Sequence, residues 1–392
     1  MNILTTNSSG NDRFGGIHTR KLAQINHSPQ HKFHLIELNH EKDYAIKDNC
    51  ILYYIDLKSN THGKGLGGIL FESKNFHEFT EHLEKLVNSY QNIIRSVNPE
   101  IILIPGTSIN SFCLLKAAKR EEKLDKTVQE YAGILEKEID SYSGDARYIL
   151  QQMGKQFVSE ISKNKVTYLF PSNLCKETVE QIHDLKLDRT NIIWNGVSEE
   201  FLEIGKTRSP PSVFSLGYVG RIHSVKNIPF FLNINEYISK KPKLKMIADI
   251  GNIEGKADAK KVLKSLSEEK VYFYAPRNKE RLAKFYAKNI SASVVSSFFE
   301  TYCNGAVESI ISGTPCILSN RAGVKEVFMK HGLEKLIYCI DNIESFKDAL
   351  EYAKSLNFII PEDQRNEIYE DISWEKSISK YNLLFEEVSA KK

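Results

Sequence analysis

The chain has 392 residues, 41% hydrophobic and 26% charged, with a formal net charge of +3. That is enough for two to three domains with their own cores, and too apolar for a disordered chain. So mild a basic excess gives no global case for nucleic-acid binding and leaves room only for a local basic patch.

Strand-like and helix-like segments alternate throughout, which predicts an α/β protein with parallel sheets. The first half reads as strands near 2–6, 32–38, 50–56, 101–105, 127–131, 166–170 and 190–194. Amphipathic helices fill the gaps, most clearly from Phe76 to Val97, where Phe79, Leu83, Leu86, Tyr90 and Ile94 share a face. Gly15 and Gly16 follow the first strand, where backbone without side chains can approach a ligand; an ordinary strand–helix turn is the plainer reading. The glycine-rich run 60–68 lacks the Gly-Lys-Ser/Thr ending of a phosphate loop and reads as a surface loop or lid. Lys116, Lys119, Arg120, Lys123 and Lys126 are the best basic patch. Glu121, Glu122 and Asp125 lie among them, favouring a solvated face over a membrane-docking one. The stretch 206–212, with Pro210 and Pro211, looks like an interdomain linker. Beyond it, strands near 213–219, 244–250, 271–275, 292–296, 315–319 and 336–341 form a second doubly wound half, and the segment from Trp374 to Val388 is helical.

Two stretches carry chemistry. A strand over 213–219 turns at Gly220 and becomes a helix at about Asn227, with Pro229 in its first turn. Arg221 and Lys226 flank that helix start, and two cations beside a helix N-terminus make a site for a diphosphate; two exposed basic residues on a loop is the plain alternative. In the second stretch the buried run 292–295 gives way to Glu300-Thr301-Tyr302-Cys303-Asn304 and to Glu308. A helix from near Asn304 to Gly313 puts Glu308 about one turn in and Glu300 in the loop at the strand's carboxyl end. In an open parallel sheet ligands bind there, and two carboxylates suit a ligand rich in hydroxyls. Read alone, they are as easily two solvated glutamates.

Together these stretches resemble the retaining, nucleotide-sugar-dependent glycosyltransferases of family four, with the two-Rossmann glycosyltransferase B fold. Further pieces of the likeness are Met1–Asn7 with Gly15-Gly16, the run 166–173, Asn195-Gly196-Val197, and Ile372-Ser373-Trp374. The resemblance implies two doubly wound Rossmann-like domains facing a central cleft: an acceptor-side domain over 1–205, with the helix 374–390 packed back on it, and a nucleotide-sugar domain over 212–372. It implies a hexosyltransferase acting in surface-glycan or glycoprotein synthesis, with a glycan, glycolipid or glycoprotein acceptor. Arg221 and Lys226 would take the diphosphate, Glu300 the sugar hydroxyls, and Glu308 the ribose. The N–H groups of 301–304, the Gly15-Gly16 backbone and the loop around Arg277 would complete the donor site.

The chain departs from the family in two places. Thr301-Tyr302-Cys303 stands where the family has glycine, aromatic, glycine, which narrows the pocket. The region 128–133 lacks the family's acceptor-side histidine, leaving Glu130 and Tyr131 as its polar groups. No Asp-x-Asp pair and no helical His-x-x-x-His pair suggests a metal, and the family needs neither metal nor cofactor.

No apolar run approaches the ~20 residues of a membrane span, no signal-peptide pattern opens the chain, and six cysteines without a Cys-x-x-Cys pair read as reduced thiols. The expected location is cytoplasmic, with room for peripheral contact at the inner membrane face. The rivals are a catalytically silent partner subunit and a sugar-nucleotide epimerase on the same fold. A nicotinamide-dependent dehydrogenase is disfavoured, because no strand is followed by Gly-x-Gly-x-x-Gly.

Overall fold

The computed structural model describes residues 1–6, 16–38, 47–61, 65–139, 142–163, 166–249, 272–273 and 278–390. The chain divides into two compact units, Met1–Ile193 with Ile378–Lys392, and Trp194–Ser377.

In the first unit the strands are β1 (Asn2–Thr6), β2 (Lys32–Leu38), β3 (Cys50–Ile55), β4 (Ile101–Pro105), β5 (Thr127–Glu130), β6 (Thr167–Phe170) and β7 (Thr190–Ile192). They form one parallel sheet in the order β3-β2-β1-β4-β5-β6-β7. β4 is buried along its whole length, as an uninterrupted apolar run in a parallel sheet must be. The helix Phe76–Val97 starts on Asn75, whose side chain accepts from Glu78 N, and stops at Asn98 in the left-handed region (φ 45°). The basic face of the helix Ile109–Arg120 is matched within the unit: Lys116 and Arg120 pair with Glu84, and Lys119 with Glu160.

In the second unit the strands are β8 (Ser215–Arg221), β9 (Lys243–Asp249), β10 (Tyr272–Phe273), β11 (Ala292–Val295), β12 (Cys316–Ser319) and β13 (Ile337–Tyr338). Their parallel order is β10-β9-β8-β11-β12-β13. Two apolar layers cover this sheet. One gathers Tyr286, Tyr302, Val307, Ile311 and Phe328; the other gathers Leu216, Phe231, Met246, Ile317 and Phe346. Each layer faces one side of the sheet, as in a doubly wound domain.

The structure redraws two boundaries and shortens one helix. Residues 194–205, predicted in the first half, belong to the second unit, where Phe201 of the helix Glu199–Gly205 is part of the core. The apparent linker 206–212 lies inside the same unit. Its Arg208 donates to the carbonyls of Tyr286, Ala287, Ile290, Ser291 and Phe358 over 2.8–3.3 Å. The helix expected from about Asn227 begins at Ile228, with Pro229 in its first turn, but is broken after Leu232. A 3₁₀ turn, Ser224–Lys226, ends on Asn227 at φ 48°, and the helices beyond it, Ile228–Leu232 and Ile234–Tyr237, are each too short to carry a useful dipole.

The helix Trp374–Ser389 begins in the second unit, and its residues from Ile378 belong to the first. There Tyr381 Oη donates to Glu130 Oε1 over 2.5 Å. No helix among the described residues is long and apolar enough to cross a membrane.

Candidate active site

In the second sheet the strand order reverses between β8 and β11, which are neighbours although β9 and β10 lie between them in sequence. Crossovers leave this pair in opposite directions, so a crevice opens at their carboxyl ends. Arg221 closes β8 there and is exposed. The segments leaving the two strands are stitched together. Ser296 Oγ donates to the carbonyls of Lys226 and Asn227 over 2.9 and 3.1 Å, and Phe298 N donates to Val225 O over 2.8 Å. Glu300 is held by backbone on both sides: its N–H donates to Arg321 O and its carbonyl accepts from Gly323 N. With Lys226 and Glu300 so anchored, Lys226 Nζ lies 2.5 Å from Glu300 Oε1, the side chains only 17% and 14% exposed. Ser297 Oγ donates to the same oxygen over 2.7 Å.

The helix Asn304–Ile311 begins immediately beyond. Elsewhere Ser108, Ser172 and Asn342 cap helices through their side chains. Here the N-cap is Cys303, with no side-chain cap, at φ 98° and ψ 79°. A cysteine thus follows a backbone path natural to glycine. An uncapped helix start leaves first-turn N–H groups for an anion. Burial, and then the nearby Glu300 carboxylate, pushes the Cys303 thiol well above its ordinary value, so it stays neutral.

Asn195 Nδ2 donates to Asn304 Oδ1 over 2.8 Å and ties the Asn195-Gly196-Val197 turn to this helix start. Gly196 has no room for a side chain, since a Cβ would strike the Trp374 indole and backbone. The turn and the Ser373-Trp374 segment are also joined by Val197 N to Ile372 O, 2.8 Å. Glu308, one turn into the helix, is partly buried. Burial raises its pKa to about 7, with Lys279 opposing the rise. The hydroxyl of Tyr286 beside it is buried with no partner, and would lie 3.2 Å from a Cβ on Gly305.

The crevice therefore gathers Arg221, Lys226, Glu300, Cys303 and the Asn304 helix start, with Glu308 one turn beyond. The Tyr302 ring, 1% exposed, belongs to the core and supports the loop from beneath rather than lining a pocket. Arg277 and Gly15 lie outside the described residues, and Gly16 opens the helix Gly16–His27 of the first unit. Sequence reasoning passed over Ser297 and Tyr286, and had Asn195 only as part of the Asn195-Gly196-Val197 turn. Only Ser297, three positions before Glu300, offered a local hint.

In the first unit Glu130 is buried and its Oε1 is engaged. Arg20 Nη1 lies 3.0 Å from its Oε1, which also accepts from Tyr381. Tyr131 is buried and stacked on Phe170 at 4.9 Å. Both side chains are out of solvent. Among the described residues no three His, Cys, Asp or Glu side chains are grouped as metal ligands would be.

Residues 201–371 match the family described as Glycosyl transferases group 1. The chain is similar, at 24% identity over 238 residues, to an uncharacterized glycosyltransferase of Methanocaldococcus jannaschii; the match covers 55% of this chain and 59% of the relative, less than two thirds of its length. Among solved structures it is similar to sucrose-phosphate synthase from Thermosynechococcus elongatus (TM-score 0.74, 15% identity, 99% of both chains). It is also similar to a glycosyltransferase from Rickettsia africae (TM-score 0.69, 14% identity, 100% of this chain and 99% of that one). A third is the Anabaena protein HepE, solved in complex with UDP and glucose (TM-score 0.67, 12% identity, 99% and 100%). At these identities the likeness is one of fold: two Rossmann-like α/β domains of the glycosyltransferase B type.

Proposed function

We propose that the protein is a retaining glycosyltransferase, moving a hexose from a nucleoside diphosphate sugar to an acceptor hydroxyl in surface-glycan or glycoprotein synthesis. The observation that carries this reading is the pairing of Lys226 with Glu300 beside an uncapped helix start, at the switch point of the second sheet. It supplies a cation and free N–H groups for a diphosphate, and a carboxylate for sugar hydroxyls, within one crevice. Arg221 adds a second cation whose planar fork suits phosphate oxygens. Glu308 is the carboxylate for the ribose. The group 1 match over 201–371 and the UDP and glucose bound by the Anabaena neighbour support the same ligand class.

In the reaction the bond from the sugar's anomeric carbon to the diphosphate oxygen breaks, and a bond to the acceptor oxygen forms. The acceptor's proton passes to the departing diphosphate. Negative charge grows on that diphosphate, so fixed cations and helix N–H groups aimed at it lower the barrier. Departure of the leaving group and entry of the acceptor on one face retains the anomeric configuration.

A silent-partner role is disfavoured by Cys303, which keeps the glycine-like backbone path despite its strain. The test is a thermal-shift panel of uridine, guanosine and adenosine diphosphates and their sugars, followed by hydrolysis and transfer assays on each hit. Stabilisation by one diphosphate, lost in Arg221→Ala/Lys226→Ala, is the expected result. No response to any of them would sink the reading; binding without hydrolysis or transfer would favour the silent partner.

A further inference from the structure

Lys226 and Glu300 are candidate ligand groups for different parts of one donor, yet they are bonded to each other. The contact is 2.5 Å, mostly out of solvent, and falls on Glu300 Oε1, the oxygen that also accepts from Ser297 at 2.7 Å. An ammonium and a carboxylate so paired present almost no net charge to an incoming anion. A carboxylate oxygen already accepting two hydrogen bonds has little capacity left for a sugar hydroxyl. The pair thus occupies Glu300 Oε1, and a sugar hydroxyl can take that oxygen only by displacing Lys226.

We infer that Glu300 is a switched carboxylate. The donor's diphosphate draws the Lys226 ammonium onto its own oxygens and so releases Glu300 Oε1 to accept a sugar hydroxyl. The reasoning rests on the reading of this crevice as a nucleotide-sugar site. The lysine's reach permits the exchange, since a flexible four-carbon stem carries a mobile point charge where a rigid guanidinium would not follow. Ser297 acts as a positioning residue. Its hydroxyl, on a residue 2% exposed, stays on Glu300 when Lys226 leaves and keeps the carboxylate from swinging away. Glu300 is further fixed through its own backbone to Arg321 and Gly323, so only the lysine has to move. The result is that sugar recognition depends on prior phosphate recognition. A free monosaccharide meets a carboxylate whose Oε1 is already occupied, and a nucleoside diphosphate has to compete with Glu300 for Lys226.

This reverses the ordinary expectation for removing a binding-site residue. Glu300→Gln takes away Lys226's competitor, so free nucleoside diphosphate should bind about two- to fivefold more tightly, the worth of a partly exposed ion pair. The experiment is calorimetric titration of the full chain with the nucleoside diphosphate that stabilises it, using wild type, Glu300→Gln, Ser297→Ala and Ser297→Thr. The matching free monosaccharide is then titrated with and without that diphosphate. Expected are tighter diphosphate binding by Glu300→Gln and monosaccharide binding by wild type only when diphosphate is present. Ser297→Ala should leave diphosphate affinity unchanged and raise KM for the donor, while Ser297→Thr restores it. Equal diphosphate affinity in wild type and Glu300→Gln, or monosaccharide binding without diphosphate, would overturn the exchange and leave the glycosyltransferase reading standing. No diphosphate binding by wild type would overturn both.

Discussion

Asn195 and Asn304 stand 109 positions apart in sequence and are joined by a side-chain hydrogen bond of 2.8 Å. The bond fastens the start of the helix that carries Glu308 to the turn that opens the second unit. Asn195→Ala should destabilise that unit by about 1–2 kcal/mol, because Asn304 loses a buried partner. A helix start free to shift should also bind diphosphate less well, by a few-fold. Urea unfolding and calorimetry on the same preparation test both. Unchanged stability and unchanged affinity would show the contact to be incidental.

Cys303 sits at φ 98°, where a side chain is strained. Comparing Cys303→Gly with Cys303→Ala isolates that strain, since both remove the thiol and only glycine relaxes the backbone. Glycine normally costs stability relative to alanine. Here Cys303→Gly should be the more stable of the two, by about 1–2 kcal/mol. Thermal denaturation of the pair decides it, and the usual order with alanine ahead would mean the backbone is not strained at this position.

How far the sequence foretold this depends on whether the cause was local. Parallel strands are unbroken apolar runs, so β4, β11 and their neighbours were legible to within a residue or two. Glu300 in its loop and Glu308 one turn into a helix ending near Gly313 were also legible, because a strand, a glycine and a proline mark those borders. The Lys226–Glu300 pair was not, since 74 residues separate its members and only the sheet order brings them together. The misread linker has a definite cause: Pro210-Pro211 suggests a break, but the neighbouring Arg208 reaches carbonyls more than seventy residues away. The helix start at about Asn227 was legible because Pro229 marks its first turn, but its length was not: it ends at Leu232 and a second short helix, Ile234–Tyr237, follows.

Arg208 should be a stability hot spot. Burial lowers its pKa, and carbonyl oxygens from five residues hold the charge instead of a carboxylate. Arg208→Met strands those carbonyls and should cost at least about 3 kcal/mol. Arg208→Lys should recover little, because an ammonium has neither the spread nor the five donors of the fork. Denaturant titration of both variants checks this, and a lysine variant as stable as wild type would refute the need for the guanidinium geometry.

Glu308 gives the pH prediction. Its pKa rises from 4.5 to about 7 on folding because burial disfavours the carboxylate. A group raised in the folded state favours folding while it is protonated in that state. Its contribution is therefore complete below about pH 4.5 and is lost as the pH climbs through about 7. Above that, an ionised, partly buried carboxylate is carried at a cost of up to roughly 3 kcal/mol. Glu308→Gln removes the cost, so the variant should be more stable than wild type at pH 8 and show no advantage at pH 4. The same substitution should weaken nucleoside diphosphate binding while leaving inorganic pyrophosphate binding intact, if the carboxylate serves the ribose. A stability gain equal at both pH values would rule out the buried-carboxylate account. Equal loss of nucleotide and pyrophosphate binding would move Glu308 from the ribose to the phosphates.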